Sequence, residues 1–385
     1  ELASNNTKNK NNNTNNNSTT ANNDNNNNNN NNNSNSSHPQ QGLAVIMSPA
    51  THFKGAVQFR WEDDWVTGVS GEVTDVPSSF THETIVIAGV GMTETVRSFG
   101  DVMQSAHNTT KVVDRVVTHM GYWTDNGAFY YGDAYPQGSS TNVDYNLSCC
   151  SKANIMQAKK KLDRDNVPIR YLQLDDWWYH GPHPGTHFHG VKCVSEWALP
   201  ENTYPGGLIK LRQDYDQPFV LYGPYFCTKN QWNQTLVPAG ADAGVPIPEE
   251  SFEMYKKVFQ YAKDNGAIAY EIDFMSELYL GIPEFRRTLD ASTVWLTGMT
   301  KAAEALKMPI QLCMMQPSDL LASLNFDYAT NGRASGDYAG TNNWEVGGPS
   351  LLFWAFGMAP SKDNFWSSDG IISMHTHSLS LSLSL

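Results

Sequence analysis

From Gly91 onward, apolar strand-like segments alternate with amphipathic helical segments, and this alternation is the strongest constraint on the fold. The segment Ile169–Leu174 is apolar enough to be covered on both faces, and a helical pattern over Lys152–Asp165 precedes it. Because strands that alternate with helices form parallel sheets, the pattern predicts an α/β fold, either doubly wound or closed into a barrel. The other predicted strands are Met120–Gly127, Gln217–Phe226, Ala267–Met275, Ile310–Met314 and Phe326–Thr330, and the other predicted helices are Thr93–Ala106, Ser251–Asn265, Pro283–Lys307 and Ser318–Leu324.

The spacing of acidic residues at predicted strand ends favours the barrel. A (β/α)8 barrel of about 250 residues uses roughly 31 residues for each strand–helix unit. Asp273 and Asp337 are 64 positions apart, which corresponds to two units, and the longer interval from Asp175 to Asp273 fits two units with a loop insertion. The sequence therefore predicts a (β/α)8 TIM-type barrel over residues 91–368. We expect it to be incomplete at its C-terminal end, because only six or seven strands can be counted.

The segments that flank the predicted barrel differ from it in composition. Residues 1–41 are dominated by Asn, which predicts a disordered low-complexity tract. Residues 42–90 contain three or four short β-type segments separated by turn residues, and we interpret them as the remnant of an N-terminal β-sandwich. Residues 369–385 end in alternating Leu and Ser, and we interpret this low-complexity tail as an artefact of the gene model.

Charge and hydropathy argue against two classes of partner. The formal net charge is −13 at pH 7 and Lys and Arg form no cluster, so we predict no nucleic-acid binding. No apolar run reaches the roughly 18–20 residues that span a bilayer, so no membrane-spanning segment is predicted. Outside the Asn tract, N-x-S/T glycosylation acceptor sequences occur at Asn108, Asn146 and Asn233. They weakly favour a secreted, endomembrane or lysosomal location.

The cysteines and histidines predict neither a disulfide framework nor a metal site. The five cysteines form no CxxC pair, and we interpret them as buried free thiols. Four histidines lie from His180 to His189, ahead of Cys193, but their spacing matches no standard zinc pattern, and the Gly and Pro residues among them indicate a loop. We therefore predict no metal and no organic cofactor.

Acidic residues at the ends of predicted strands are the candidate functional groups. Asp175 and Asp176 end one strand, Asp273 lies near the end of another and Asp337 follows a third. Asp125 lies towards the end of the first predicted strand and is a further candidate. Because the carboxyl ends of barrel strands surround one mouth, we expect these acids to lie close together.

These acids fit the chemistry of glycoside cleavage, in which one carboxylate attacks the anomeric carbon and a second acid protonates the leaving oxygen. Asp273 is the expected nucleophile because it is the better buried acid and lies on a strand, whereas Asp337 lies in a loop and suits the acid/base role. Arg333 is expected to bind a sugar hydroxyl or to keep a neighbouring carboxylate ionised. Trp177 offers an aromatic face for sugar C–H groups.

The same residues also have structural interpretations. Asp175 and Asp176 have the position of a helix-capping pair at a strand-to-helix turn. Asp273 fits a buried acid paired with Arg333, and the surroundings of Asp337 have ordinary turn composition. We favour the functional interpretation because acids occur at several strand ends that would surround the same barrel mouth.

Three motifs resemble those of the clan D glycoside hydrolases, which include the α-galactosidases and raffinose-synthase-like proteins of families 27 and 36. The sequence Asp175-Asp-Trp-Trp178 is similar to the clan's strand-end motif that binds galactose hydroxyls. Asp273 matches the strand-four nucleophile, and Arg333-Ala-Ser-Gly-Asp337 matches the Arg-x-Ser-x-Asp pattern of the acid/base. The resemblance covers roughly residues 43–368, and a β-sandwich ahead of the barrel is characteristic of family 36. The chain departs from the clan at Glu271, where Lys is frequent.

The resemblance implies a retaining glycoside hydrolase of the α-galactosidase type, which cleaves a terminal sugar through a covalent glycosyl-aspartate intermediate. A raffinose-synthase-like transglycosylase is an alternative, because it shares that intermediate and passes the sugar to another sugar. A non-catalytic carbohydrate-binding barrel is the third interpretation. Each of them predicts a carbohydrate as the partner.

Overall fold

The structure is a computed structural model that describes residues 42–125, 151–175, 178–181, 193–240, 242–336 and 346–362, together with the backbone of Phe365–Trp366 and Ser380–Ser382. The predictions for the Asn-rich tract and for Asp176, Trp177 and Asp337 therefore concern residues outside the described part. Cys149, Cys150 and most of the histidine-rich loop also lie outside the described part.

Seven parallel strands lie in one sheet in the same order as in the chain. Helices lie between successive strands, which is the order of an incomplete TIM barrel. The fold class predicted from the alternation of strands and helices is confirmed at this level. The strands are β5 (Met120–Trp123), β6 (Ile169–Leu174), β8 (Phe219–Tyr222), β12 (Ala267–Ile272), β13 (Ile310–Leu312), β14 (Ala329–Arg333) and β15 (Ala359–Ser361).

The parallel sheet does not close on itself among the described strands. β15 lies at one edge, while β5 pairs antiparallel with β17 (Ser380–Ser382), which pairs in turn with β16 (Phe365–Trp366). Part of the alternating Leu and Ser tail thus lies beside β5, where a closed barrel would have its last parallel strand.

The helices pack on the outer face of the sheet, and two of them meet at small residues. Gly298 of α8 (Ala291–Leu306) lies so close to the start of α5 (Ser251–Asp264) that an added Cβ would be 1.8 Å from Ser251 Oγ. We therefore expect any side chain at position 298 to push the two helices apart. The described helices are α1 (Met92–His107), α2 (Arg115–Thr118), α3 (Lys152–Arg164), α4 (Gly207–Tyr215), α5 (Ser251–Asp264), α6 (Met275–Gly281), α7 (Pro283–Arg287), α8 (Ala291–Leu306), α9 (Pro317–Ala322) and α10 (Gly347–Ala355). None of them has the length and apolar character needed to cross a membrane.

Several element boundaries differ from the sequence prediction. The helix predicted over Pro283–Lys307 is divided into α7 and α8 because Thr288 is extended and its hydroxyl accepts a hydrogen bond from Ala291 N over 3.1 Å. The strand predicted over Phe326–Thr330 instead covers Ala329–Arg333. As a result, Arg333 is the last residue of β14 rather than part of a loop.

A second sheet contains the four strands β7 (Cys193–Val194), β9 (Tyr225–Cys227), β10 (Leu236–Pro238) and β11 (Ala243–Pro246). These strands follow the predicted loop insertion, most of which lies outside the described residues. The strand predicted over Gln217–Phe226 is interrupted at Gly223-Pro224, and its second half belongs to this sheet as β9. Parallel pairing of β7 with β9 brings Cys193 and Cys227 together in a disulfide. The interpretation of these two cysteines as free thiols was therefore wrong. Cys313 is buried and free.

Removal of this disulfide by the double substitution Cys193→Ala/Cys227→Ala should lower the free energy of unfolding by about 2–4 kcal/mol, because the bond closes a loop across a sequence separation of 34. Urea unfolding of the wild type with and without reductant would measure the loss. The double variant is the control, since reductant should no longer change its midpoint. An equal midpoint for oxidised and reduced wild type would contradict the expectation.

The N-terminal segment consists of two separate antiparallel strand pairs. β1 (Leu43–Pro49) pairs with β4 (Thr84–Val90), and β2 (Ala56–Trp61) pairs with β3 (Asp64–Val69). These two pairs are too few to show a sandwich, so the N-terminal β-sandwich stays a prediction.

Candidate active site

The two faces of the parallel sheet have different compositions. Side chains on the outer face, such as Leu172, Tyr270 and Leu312, belong to the large core formed with the helices. On the inner face, Trp123, Tyr171, Val220 and Ala269 form a small separate apolar cluster. Since alternate residues of a strand point to opposite faces, residues two positions further along each strand lie above this cluster on the inner face.

The next inner layer is polar although it is buried. It contains Gln173, Glu271, Gln311 and Asn331, each no more than 1% exposed. Glu271 is opposite Gln311 and Gln311 is opposite Asn331 in the strand register. Two positions further, at or just beyond the strand ends, lie Asp125, Asp175, Asp273, Cys313 and Arg333. The sheet therefore brings four of the residues predicted from sequence to the same end of its inner face.

Asp273 is a buried carboxylate with several hydrogen-bond donors around it. It is 8% exposed, and it accepts hydrogen bonds from Tyr222 Oη to Oδ2 over 3.0 Å and from Phe274 N to Oδ1 over 2.6 Å. Burial raises the pKa of Asp273 above its ordinary value. The charge of Arg333 and hydrogen bonds from the Cys313 thiol, Phe274 N and Tyr222 act in the opposite direction and favour the ionised form.

Arg333 is positioned by β14, whose last residue it is, and its register partner is Ser361 of β15. It is the largest of the influences that lower the pKa of Asp273, after the opposing effect of burial. The charge of Arg333 therefore acts in the direction expected from the sequence, and its role at the site stays a prediction.

Asp175 follows β6 and is 7% exposed. Its Oδ2 accepts a hydrogen bond from Gln173 Nε2 over 3.0 Å, and its backbone N–H donates to Thr124 Oγ1 over 3.0 Å. The first contact gives the carboxylate a buried hydrogen-bond donor, and the second fixes the backbone of Asp175. Asp125 follows β5 and is half-buried.

Trp178 has a structural role, because its indole N–H donates to the carbonyl of Tyr222 over 3.0 Å and its ring packs against Trp197. Among the described residues, no three His, Cys, Asp or Glu side chains are grouped so that they could hold a metal ion.

Sequence reasoning missed three side chains of this site. Tyr222 and Cys313 hydrogen-bond to Asp273, and Gln173 hydrogen-bonds to Asp175. Gln173 could have been found by counting two residues back from Asp175, whereas nothing in the sequence links Tyr222 or Cys313 to Asp273.

Comparison with known proteins gives structural but no sequence matches: neither a protein-family model nor a curated protein matches the chain. An α-galactosidase from Thermus thermophilus in complex with stachyose matches with a TM-score of 0.53 at 12% sequence identity, over 86% of this chain and 69% of the enzyme. The chain has a glycosidase-type fold. Two further matches have lower TM-scores. An α-N-acetylgalactosaminidase from Bifidobacterium bifidum matches with a TM-score of 0.44 at 11% identity, over 71% of this chain and 49% of that protein. A GH31 α-xylosidase from Xanthomonas citri matches with a TM-score of 0.45 at 9% identity, over 73% of this chain and 31% of that protein.

Proposed function

We propose that this chain is a retaining glycoside hydrolase of the α-galactosidase type that forms a covalent glycosyl intermediate on Asp273. The observation that carries the proposal is the environment of Asp273. It is a buried carboxylate at the end of a parallel strand in a glycosidase-type fold, and it is hydrogen-bonded by Tyr222 and electrostatically supported by Arg333.

In the proposed reaction, a carboxylate oxygen of Asp273 attacks the anomeric carbon while the bond to the glycosidic oxygen breaks. Asp337 gives its proton to that oxygen, and it then removes a proton from the water that hydrolyses the glycosyl ester. Asp125, Asp175, Asp176 and Trp177 would bind the sugar through its hydroxyl groups and its C–H face.

The assay that tests this function is hydrolysis of p-nitrophenyl α-galactoside, followed by NMR during the first minutes of the reaction. Release of α-galactose as the first product would support a retaining hydrolase, and release of β-galactose would contradict it. A parallel reaction with excess sucrose distinguishes the transglycosylase, because a transfer product would then replace free galactose.

A non-catalytic carbohydrate-binding protein is the second candidate. It is favoured by the position of β15 at the edge of the sheet among the described strands, and by Glu271, an acid where the clan D enzymes frequently have Lys. This alternative predicts that galactose binds with no turnover and that Asp273→Asn leaves binding unchanged.

Replacement of Arg333 by Gln should move the acid limb of the kcat/KM profile to higher pH. The nucleophile must be ionised, so activity is lost as the pH falls through the pKa of Asp273. Burial already raises this pKa and Arg333 lowers it, so removal of the guanidinium should raise it further. Arg333→Lys is the matched control, because it keeps a positive charge and should shift the limb less. An unchanged acid limb in Arg333→Gln would contradict the assignment.

A further inference from the structure

The side-chain amide of Gln173 bridges two buried carboxylates. Its Nε2 donates to Asp175 Oδ2 over 3.0 Å and also to Oε2 of Glu271. The other oxygen of Glu271 accepts from Gln311 Nε2 over 3.1 Å. A continuous chain of hydrogen bonds therefore runs from β13 through Glu271 on β12 to β6, where it ends on Asp175.

The chemistry of these groups fixes the direction of the amide. An ionised carboxylate can only accept hydrogen bonds, and a primary amide has its two N–H donors on one side and its carbonyl oxygen on the other. When Glu271 and Asp175 are both ionised, the nitrogen of Gln173 must therefore face them. The Oε1 of Gln173 then has no hydrogen-bond partner in the described part of the chain, so the carbonyl end does not hold the amide in this orientation.

We propose that Glu271 is a positioning residue that holds the Gln173 amide in the one orientation that supports the Asp175 carboxylate. If Glu271 could also donate, the amide could turn over and present its oxygen to Asp175. Two acceptors would then face each other, and Asp175 would lose a buried donor. The acid at position 271 thus acts on sugar binding through Asp175. The link to sugar binding rests on the proposed function, whereas the amide orientation does not.

The variant that tests the inference is Glu271→Gln, which is nearly isosteric and replaces an acceptor by a group that can also donate. We expect KM for p-nitrophenyl α-galactoside to rise about tenfold or more with kcat changed less than about threefold, because ground-state and transition-state binding are lost together. Asn331→Leu is the matched control. It removes a buried amide of the same layer, which donates to Thr330 Oγ1 over 3.2 Å, and KM should stay within about threefold of the wild type.

The charge-swapped double variant Gln173→Glu/Glu271→Gln separates positioning from a purely structural role. It keeps one amide and one carboxylate between β6 and β12, so a structural role would be rescued. It also places the new carboxylate against Asp175, so a positioning role would not be rescued and KM should remain high. Rescue of KM by the swap, or a wild-type KM in Glu271→Gln, would overturn the inference.

Crystal structures at better than about 1.2 Å resolution test the orientation without any substrate, because amide nitrogen and oxygen can then be assigned. The nitrogen of Gln173 should face Glu271 and Asp175 in the wild type, and the amide should be reversed or mixed in Glu271→Gln. If the wild type neither binds nor turns over galactosides, the proposed function fails and these structures still decide the role of Glu271. A wild-type Gln173 with its oxygen towards Glu271 would overturn the inference even if no variant folds.

Discussion

Replacement of Asp273 by Asn should reduce turnover of p-nitrophenyl α-galactoside by about 10⁴-fold or more, because an amide cannot form the glycosyl ester. The substitution is nearly isosteric. The amide oxygen can still accept from Phe274 N, and the Tyr222 hydroxyl can rotate to accept from the new NH2 group. We therefore expect galactose binding to remain measurable by calorimetry.

Azide should restore part of the activity of the smaller variant Asp273→Ala, since it can enter the space that the carboxylate leaves and attack the same face of the sugar. The product should be β-galactosyl azide, because a single displacement inverts the α configuration. Tyr222→Phe is the control, as it removes one hydrogen bond from Asp273 and leaves the nucleophile. That variant should lose activity modestly and gain nothing from azide. Retention of more than about a tenth of wild-type turnover by Asp273→Asn would exclude Asp273 as the nucleophile.

Asp273→Asn should be at least as stable as the wild type at neutral pH. Burial raises the pKa of Asp273 in the folded state above its unfolded value, so the folded state binds the proton more tightly. This group therefore destabilises the folded state once the pH exceeds its raised pKa, and it contributes no such effect below its unfolded pKa. Because Asn carries no charge, Asp273→Asn should gain most in melting temperature near neutral pH and little in acid. A loss of stability at pH 7 would indicate that the substitution disrupts the fold.

The order of strands and helices could be predicted from sequence because each unit carries its own periodicity and its own boundary residues. The end of α5 shows this, since Gly266, with a φ of 91°, stops the helix directly before β12. The predicted boundaries were wrong where a tertiary contact determines them. The start of β14 is set by its pairing with β13, and no local signal near Phe326 reports that register.

The candidate site could be predicted only in part, because an acid at a strand end is visible in sequence and its neighbours on other strands are not. Asp175, Asp273 and Arg333 were found from strand ends and motif spacing. Tyr222 and Cys313 reach Asp273 through the lateral order of β8, β12 and β13, which is a property of the sheet. The disulfide between Cys193 and Cys227 was missed for the same reason, since it depends on the pairing of β7 with β9.

A large change in stability is expected at a buried ion pair that connects the N-terminal segment to the helices after β12 and β13. Lys54 Nζ is 2.6 Å from Asp319 Oδ1, and the two side chains are 2% and 3% exposed. The ammonium group also donates to Ser318 Oγ over 3.0 Å and lies 4.4 Å from the ring centre of Tyr279. Oδ2 of Asp319 accepts from Gln316 N over 2.8 Å and so caps α9.

Lys54→Met should lower the free energy of unfolding by about 3–5 kcal/mol, because it leaves the Asp319 carboxylate buried without its partner. The double variant Lys54→Met/Asp319→Asn should recover most of that loss, since the amide carries no charge and its oxygen can still cap α9. Urea unfolding of the single and double variants measures both effects.

Arg97→Met is the matched control for exposure. Its partner Glu94 is on the surface of α1, with side chains 51% and 62% exposed, and the loss of this pair should change stability by less than about 0.5 kcal/mol. A Lys54→Met variant as stable as Arg97→Met would show that the Lys54–Asp319 pair is solvated rather than buried. Lys54 and Asp319 lie outside the candidate site. The loss of stability in Lys54→Met should therefore lower the unfolding midpoint and leave kcat and KM of the folded fraction unchanged. This result would separate the attachment of the N-terminal segment from the chemistry at Asp273.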